Sequence, residues 1–301
     1  MANTTASTVQ QLYADIVADL VPYFMDAVLL PNQQIIRNSL VVAGSSGSQV
    51  RFPLTNEYTD GVTIAEGASI SGTSGANSNL TPTAANITFT KRGVASDVTE
   101  ESLEDGGFDL VRNATLLRLS GGLAQASDVA GLGVANTSFT TNGDTGEESA
   151  NSTTHSVNFV MSPDAMAYAA KREPVVKMWY NPDTDIHEMR ATMRDGYTAL
   201  RAGFGQRMTA NKTIGSALAN VVAIAKGVAN LRSQNAPTGL DGTYIGIISP
   251  AFEFAINQQI ALAGGTTVGS LSDLGNNALR DASIALIAGT RLFRSNNLPD
   301  A

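Results

Sequence analysis

The segment Asp183-Thr184-Asp185-Ile186-His187-Glu188 contains the residues best suited to hold a metal ion. Alternate side chains of an extended chain project to one side, so Asp183, Asp185 and His187 would converge there with two carboxylates and an imidazole. The segment lacks the glycine and the distal glutamate of a calcium-binding loop. The alternative is a solvated turn, and the missing positions favour it.

No other pattern in the chain favours catalysis. The Ser/Gly tracts at 44–48 and 67–75 lack the Gly-x-Ser-x-Gly spacing of a hydrolase nucleophile, and no Gly-Lys dipeptide exists for a phosphate-binding loop. Gly131-Leu132-Gly133 lacks the third glycine of a dinucleotide fingerprint. With 2 histidines and 0 cysteines, the chain offers no thiol nucleophile, disulfide or cysteine zinc site. We therefore predict a protein that is not an enzyme, with no cofactor and no metal.

Composition narrows the class of partner. The chain of 301 residues has a formal net charge of -8, with 15% charged and 43% hydrophobic residues. This balance argues against a protein that binds nucleic acid by neutralising phosphates. No uninterrupted apolar run is long enough to span a membrane, and the first residues lack the basic start of a secretory signal. We expect no membrane contact and a protein made in a cytoplasm.

The charges are unevenly distributed along the chain. Residues 52–111 contain 9 acidic and 2 basic residues, whereas residues 171–207 contain 7 basic and 5 acidic residues. Complementary patches on one chain favour head-to-tail association of identical copies. A solvated acidic face is the alternative.

The N-terminal region has amphipathic character. Leu12, Ile16 and Leu20 recur every four residues, which predicts a helix, and a second short helix over 21–29 contains Phe24 and is too apolar to stay exposed. A core helix and an arm that packs on a neighbouring chain explain this pattern equally well.

A long segment poor in large apolar residues lies between two predicted strands. Alternating apolar residues predict strands at 49–54 (QVRFPL) and 86–98, and the residues between them are mostly Gly, Ser, Thr, Ala and Asn. Such a segment cannot bury a core of its own, which favours a projecting two-stranded arm over the alternative, a disordered surface loop. From these patterns we predict contacts between copies at Leu12, Ile16, Phe24, Glu57, Asp60, Glu66, Arg172, Arg190 and Arg194.

The remaining elements predict an α+β protein without regular βα alternation. A long helix is predicted over 108–134, where carboxylates precede its start. Ser162-Pro163 predicts a helix over 164–171, followed by a strand over 175–180. Further predictions are a helix at 213–231, a strand at 243–248, a helix after Ser249-Pro250, and two strands joined at Gly289 within 282–293.

Several of these segments together resemble the major capsid proteins of tailed bacteriophages with the Hong Kong 97-like fold. The resemblance covers most of the chain, and its most specific segment is IAGTRLFRSNNLP at 287–299. The other segments are NQQIIR at 32–37, the arm between QVRFPL and ITFTKR, the long helix after the acidic cluster, and LRSQNAP at 231–237 with the following strand and Ser249-Pro250.

The resemblance implies a division of the chain. It implies an N-terminal arm in 1–40, the extended loop and the spine helix of a peripheral domain in 41–135, and an axial domain in 211–301. Residues 136–210 would supply a helix of the axial domain and the returning strands of the peripheral domain.

The resemblance also implies partners. Hexamers and pentamers of the chain would form an icosahedral shell around weakly contacted double-stranded DNA, assembled in the host cytoplasm with a scaffolding protein, a portal and a cement protein. Family members that join subunits covalently use a lysine of the extended loop, and residues 55–90 contain no lysine. We therefore predict noncovalent assembly.

The order of the segments departs from the family. Moving residues 136–210 behind Ala301 would restore the usual order, so either the gene is rearranged or the printed order differs from the covalent order; the second is favoured. Two other functions remain open: an encapsulin-like nanocompartment shell, and a soluble metal-dependent enzyme or carbohydrate-binding module with its site at Asp183, Asp185 and His187.

Overall fold

The computed structural model describes residues 34–42, 47–54, 66, 83–102, 108–141, 155–211, 221–264 and 286–300. Within these ranges the chain forms three β-sheets and three α-helices, which is the predicted α+β class. The helices predicted before residue 30 lie outside the described residues, as does the interior of the predicted arm except Glu66. The helices are α1 (Phe108–Ser138), α2 (Val221–Ser233) and α3 (Pro250–Gly264). The strands are β1 (Asn38–Val41), β2 (Gln49–Leu54), β3 (Thr83–Thr88), β4 (Thr90–Thr99), β5 (Thr140–Thr141), β6 (His155–Met161), β7 (Met166–Asn181), β8 (Ile186–Ala199), β9 (Gly205–Asn211), β10 (Tyr244–Ile248), β11 (Leu286–Ile287) and β12 (Thr290–Arg294).

A four-stranded sheet in the order β1-β7-β8-β4 is built on the long β7–β8 hairpin. Strand β4 pairs antiparallel with β8 over its whole length, from Thr90 opposite Asp195 to Thr99 opposite Ile186. The alternating burial of β4 predicts one covered and one open face, and α1 covers one face through contacts with Val94, Val176 and Met189.

Helix α1 joins this sheet to the second one. Its first half contributes Leu116, Leu119 and Leu123 to the apolar layer over the four-stranded sheet, whereas Leu132 and Ala135 belong to the main core. At about 1.5 Å per residue the helix is about 46 Å long, which is enough to reach from one sheet to the other. The predicted long helix is therefore confirmed.

The main core lies under a six-stranded sheet in the order β11-β12-β10-β6-β9-β5. All five residues of β10 are buried, and this strand pairs parallel with β12 and antiparallel with β6. Helix α3 begins as predicted after Ser249, whose Oγ accepts a hydrogen bond from the Phe252 amide at 3.2 Å. The predicted turn between β11 and β12 has positive φ at both Ala288 and Gly289, as a tight hairpin requires.

The flanks of the predicted arm form a separate two-stranded sheet, β2–β3, with Leu54 directly opposite Thr83. The predicted single strand at 86–98 is divided at Phe89 into β3 and β4. This junction lies across β8 at Gly196, where a Cβ atom would stand 2.5 Å from the Thr88 carbonyl oxygen. The absence of a side chain at Gly196 therefore permits the close crossing.

The helix predicted over 164–171 is wrong, and residues 136–210 contain no axial-domain helix within their described part beyond the end of α1 and a 3₁₀ turn at Ala202–Phe204. Ser162 does accept a hydrogen bond from the Asp164 amide at 3.3 Å, but only a turn follows. Strand β7 begins at Met166 because Ala167 and Ala169 lie between β1 and β8, where their small side chains pack against Ile87 and Phe89. Sheet pairing on both sides overrides the helix preference of alanine.

Regular secondary structure extends through both places where the resemblance suggested another order. Helix α1 runs through Ala135 and Asn136, and strand β9 runs through Ala210 and Asn211 in register with β6. Residues 136–210 therefore lie between α1 and α2 in this structure, and the expectation of a different covalent order stays a prediction. None of the described helices is long and apolar enough to cross a membrane.

Candidate intersubunit surfaces

The predicted metal ligands lie at the tip of the β7–β8 hairpin and point to different partners. Asp183 and Asp185 occupy the exposed turn, whereas His187 lies in β8 with its Nε2 2.5 Å from Glu100 Oε2. Asp185 accepts a hydrogen bond from the Tyr180 hydroxyl at 2.5 Å. No group of three histidine or acidic residues in the described part of the chain is arranged to hold a metal ion. The geometry matches the alternative, an exposed turn.

The Tyr180 side chain ties the tip together. Its hydrogen bond to Asp185 raises the pKa of the phenol above its ordinary value, because the neutral phenol is the donor. The Tyr180 ring also lies 5.0 Å from the His187 ring. The tip is therefore an ordered structure that presents carboxylates to solvent.

Arg190 and Arg194, both predicted at contacts between copies, lie in different surroundings on β8. Arg190 is bound within the chain, since it donates to Glu188 Oε2 at 2.7 Å and stacks over the Trp179 ring at 4.6 Å. Arg194 lies opposite both Lys91 and Arg172 on the neighbouring strands. The sheet register therefore places like charges side by side around Arg194.

These charges line an open groove of about 770 Å³ on the four-stranded sheet. We call it the cationic groove; its polar lining is Lys91, Lys171, Arg172, Arg194 and Glu173, and its apolar lining is Val41, Phe89 and Val175. Lys171 Nζ donates to the Gly47 carbonyl oxygen, and Arg172 donates to Thr192 Oγ1 at 2.8 Å. None of the four cations forms a salt bridge with a carboxylate of the described residues.

The opposite face of the same sheet carries a buried polar network toward α1. Asp195 is fully buried; its Oδ1 accepts from Arg92 Nε at 2.7 Å and its Oδ2 accepts from Ser127 Oγ of α1. Ser127 Oγ lies 3.0 Å from the hydroxyl of Tyr197, whose ring packs 4.9 Å from the ring of Tyr168. Burial raises the pKa of both tyrosines well above the ordinary value. The network fastens α1 to β4 and β8.

The structure brings together only part of the predicted contact set. Arg172 and Arg194 share the cationic groove, Arg190 lies nearer the hairpin tip, and Glu66 is exposed in a turn. The other predicted contact residues, Leu12, Ile16, Phe24, Glu57 and Asp60, lie outside the described residues.

Lys91 and Lys171 were missed as members of the groove. Lys91 belongs to an acidic stretch of sequence, and no sequence signal shows that it lies opposite a residue 103 positions later. The alternation of Lys91 and Arg92 along a predicted strand does show that the two side chains point to opposite faces.

Comparisons with known structures agree on the fold. A chain of the procapsid of bacteriophage JBD30 matches with a TM-score of 0.52 and 10% identity over 96% of this chain and 99% of that chain. A chain of the bacteriophage JBD30 capsid matches with a TM-score of 0.52 and 10% identity over 91% and 93% of the two chains. A chain of the JBD30 capsid decorated with minor capsid protein trimers gives 0.52 and 11% identity over 92% and 94%.

Sequence comparison adds nothing to this result, because no protein-family model and no curated protein matches the sequence. The structural matches extend over nearly the whole of both chains. The chain therefore has the α+β fold of phage capsid structures, as the resemblance in sequence implied.

Proposed function

We propose that this chain is the major capsid protein of a tailed phage and assembles into an icosahedral shell that encloses double-stranded DNA. The observation that carries this proposal is the match to a procapsid chain over 96% of this chain and 99% of that one. A match of that extent leaves little of either chain for a separate catalytic domain.

The division implied by the sequence resemblance belongs to the same proposal. Residues 1–40 act as an arm, and residues 41–135 supply the extended loop and the spine helix. Residues 136–210 and 211–301 complete the peripheral and axial parts. In this proposal, residues of the arm and of the extended loop contact neighbouring copies: Leu12, Ile16, Phe24, Glu57, Asp60 and Glu66. A scaffolding protein, a portal and a cement protein complete the set of partners, and assembly takes place in the host cytoplasm.

The first test is negative-stain microscopy of the full chain, expressed alone and together with any scaffold encoded beside it. We expect closed shells, and DNA rather than a cargo enzyme in particles purified from infected cells. A cargo enzyme would instead favour the nanocompartment. A denaturing gel should show only monomer, because the extended loop offers no lysine for a covalent link.

A matched variant tests the role of the arm. Leu54 and Thr83 are directly paired, so a two-residue Asn-Gly turn can replace residues 55–82 and still close the β2–β3 hairpin. We expect this variant to fold, with an unchanged circular dichroism spectrum apart from the lost segment, and to remain unassembled. Shells of normal size from this variant would contradict an assembly role for the arm.

A further inference from the structure

The cationic groove and the hairpin tip lie at opposite ends of one sheet face. Residues directly opposite in an antiparallel pair share a face, so the row of Lys91 and Arg194 lies on the same face as the row of Asp97 and Glu188. Six residues of β4 separate the two rows, which is about 20 Å at about 3.4 Å per residue. The open face of the sheet is therefore positive at the Lys91 end and acidic at the Asp97 end, with Lys177 and Arg190 in the row next to the acidic one.

The negative end has six carboxylates, and the adjacent row of the same face carries Arg190 opposite Lys177. We call it the acidic tip; it consists of residues on the end of β4 and on the β7–β8 turn: Asp97, Glu100, Glu101, Asp183, Asp185 and Glu188. Two of these are partly offset inside the chain, Glu100 by His187 and Glu188 by Arg190. Asp97, Glu101 and Asp183 are exposed and form no salt bridge with a described residue.

The groove and the tip cannot neutralise each other within one copy. Their separation is about two and a half times the screening length of about 8 Å at physiological ionic strength. Like charges directly opposite each other in a sheet are also destabilising, and the groove places Arg194 opposite both Lys91 and Arg172. A second copy carries the missing countercharge at a protruding tip.

We propose that the acidic tip of one copy binds in the cationic groove of a second copy, head to tail. The two surfaces are different parts of the chain, so each bound copy leaves one tip and one groove free, and the contact repeats into a ring or an array. This inference rests on the proposed shell function, because it names the surfaces through which neighbouring copies meet.

The proposal assigns a role to the apolar part of the groove as well. Val41 and Val175 line the groove beside the cations, and Trp179 and Tyr180 are exposed next to the acidic turn. Docking of the tip would cover exposed apolar surface on both sides. Charge then sets the register of the contact, and apolar burial adds to its strength.

A reciprocal charge exchange tests the contact. The groove variant carries Lys91→Glu, Arg172→Glu and Arg194→Glu, and the tip variant carries Asp97→Lys, Glu101→Lys, Asp183→Lys and Glu188→Lys. In the groove variant both surfaces are negative, and in the tip variant both are positive. Each variant alone should need about tenfold more protein or higher to associate. An equimolar mixture pairs opposite charges at both kinds of contact and should restore association, measured by sedimentation velocity at low and high ionic strength.

The control variant is Arg232→Glu with Arg291→Glu, two exposed cations outside this sheet. It should associate like the wild-type chain, and circular dichroism checks the fold of every variant. A third variant, the arm variant, carries Glu57→Lys, Asp60→Lys and Glu66→Lys. It tests whether the acidic residues of the arm, rather than the acidic tip, bind in the cationic groove.

Three results would overturn the proposal while leaving the shell function intact. The first is that the wild type forms shells but the mixture of groove and tip variants does not associate. The second is that the arm variant, and not the tip variant, restores association of the groove variant. The third is that the groove variant associates normally but no longer binds short duplex DNA. Conversely, a wild-type chain that forms no shell, together with restored pairing in the mixture, would overturn the shell function and support the contact.

Discussion

Replacing Arg92 with methionine should strongly destabilise the fold, because it removes the cation from a fully buried carboxylate. Asp195 has 0% of its surface exposed, and Arg92 Nε lies 2.7 Å from its Oδ1, with only 17% of the arginine side chain exposed. Among the described residues Arg92 is the only cation bound to Asp195. Breaking a buried pair by removing one partner costs about 3–5 kcal/mol, which is a large share of the usual free energy of unfolding.

The hydrogen bond from Ser127 to Asp195 provides a reference against which the loss of stability in Arg92→Met can be compared. Ser127→Ala removes one hydroxyl donor to the same carboxylate and should cost about 1.5–3 kcal/mol, less than the loss of the cation. Arg92→Met combined with Asp195→Leu removes both charges, and the remaining hydroxyls of Ser127 and Tyr197 can still pair with each other. This double variant should be more stable than Arg92→Met alone.

Equilibrium urea unfolding of the unassembled chain, followed by circular dichroism, measures the free energies of unfolding of the wild type, Arg92→Met, Asp195→Leu and the double variant in one double-mutant cycle, with Ser127→Ala measured beside them. The reasoning would be refuted if Arg92→Met stayed within about 1 kcal/mol of the wild type. It would fail equally if the double variant were no more stable than Arg92→Met.

Three further predictions concern single positions. Gly196→Ala should cost about 1–3 kcal/mol in urea unfolding because a Cβ there would overlap the β3–β4 junction, whereas Gly121→Ala, in α1 with open space around it, should stabilise by about 0.5–1 kcal/mol; equal effects would contradict the crossing geometry. Burial raises the pKa of Tyr168 and Tyr197, so the unfolded phenols lose protons first, and above pH about 10 the free energy of unfolding should fall by up to about 1.4 kcal/mol per pH unit for each; changing both to Phe should flatten this alkaline limb. Burial also raises the pKa of Glu253, so the free energy of unfolding should fall as pH rises from the ordinary carboxyl value to the raised one; Glu253→Gln should remove that slope, and an unchanged slope would contradict it.

The elements predicted correctly from sequence are those fixed by local signals. The strand QVRFPL alternates apolar and polar residues, α3 begins at a serine cap followed by proline, and Gly289 supplies the positive φ of a tight turn. Each of these signals acts within a few residues, so it can be read before the rest of the fold is known.

The prediction at 164–171 failed because its competing information is not local. Ser162 forms the hydrogen bond that a helix start requires, yet Ala167 and Ala169 lie between two strands that come from residues 38–41 and 186–199. Their burial against Ile87 and Phe89 depends on pairing across the chain. Whether these residues form a helix or a strand therefore depends on tertiary context that the local sequence does not contain.

The candidate surfaces show the same division. The sequence indicated which stretches were acidic or basic, but the cationic groove collects Lys91 from the acidic stretch and Arg172 and Arg194 from the basic one. The β4–β8 register brings Lys91 next to Arg194, and the charge composition of a sequence stretch does not reveal this pairing. The candidate metal ligands, for which the sequence favoured a solvated turn, do lie in or beside an exposed turn that directs Asp185 to Tyr180 and His187 to Glu100.

The two faces of the four-stranded sheet divide the work of folding and association. The face under α1 holds the apolar layer of Leu116, Leu119 and Leu123 and the buried Asp195 network, which can stabilise the sheet without help from a second copy. The open face therefore need not contribute to folding, and it can tolerate the repulsion among Lys91, Arg172 and Arg194 that a self-sufficient surface would avoid. Because strand alternation separates these faces residue by residue, Arg92→Met should lower the stability of each copy. Arg194→Glu removes repulsion with Lys91 and Arg172, so it should weaken association without lowering the stability of each copy.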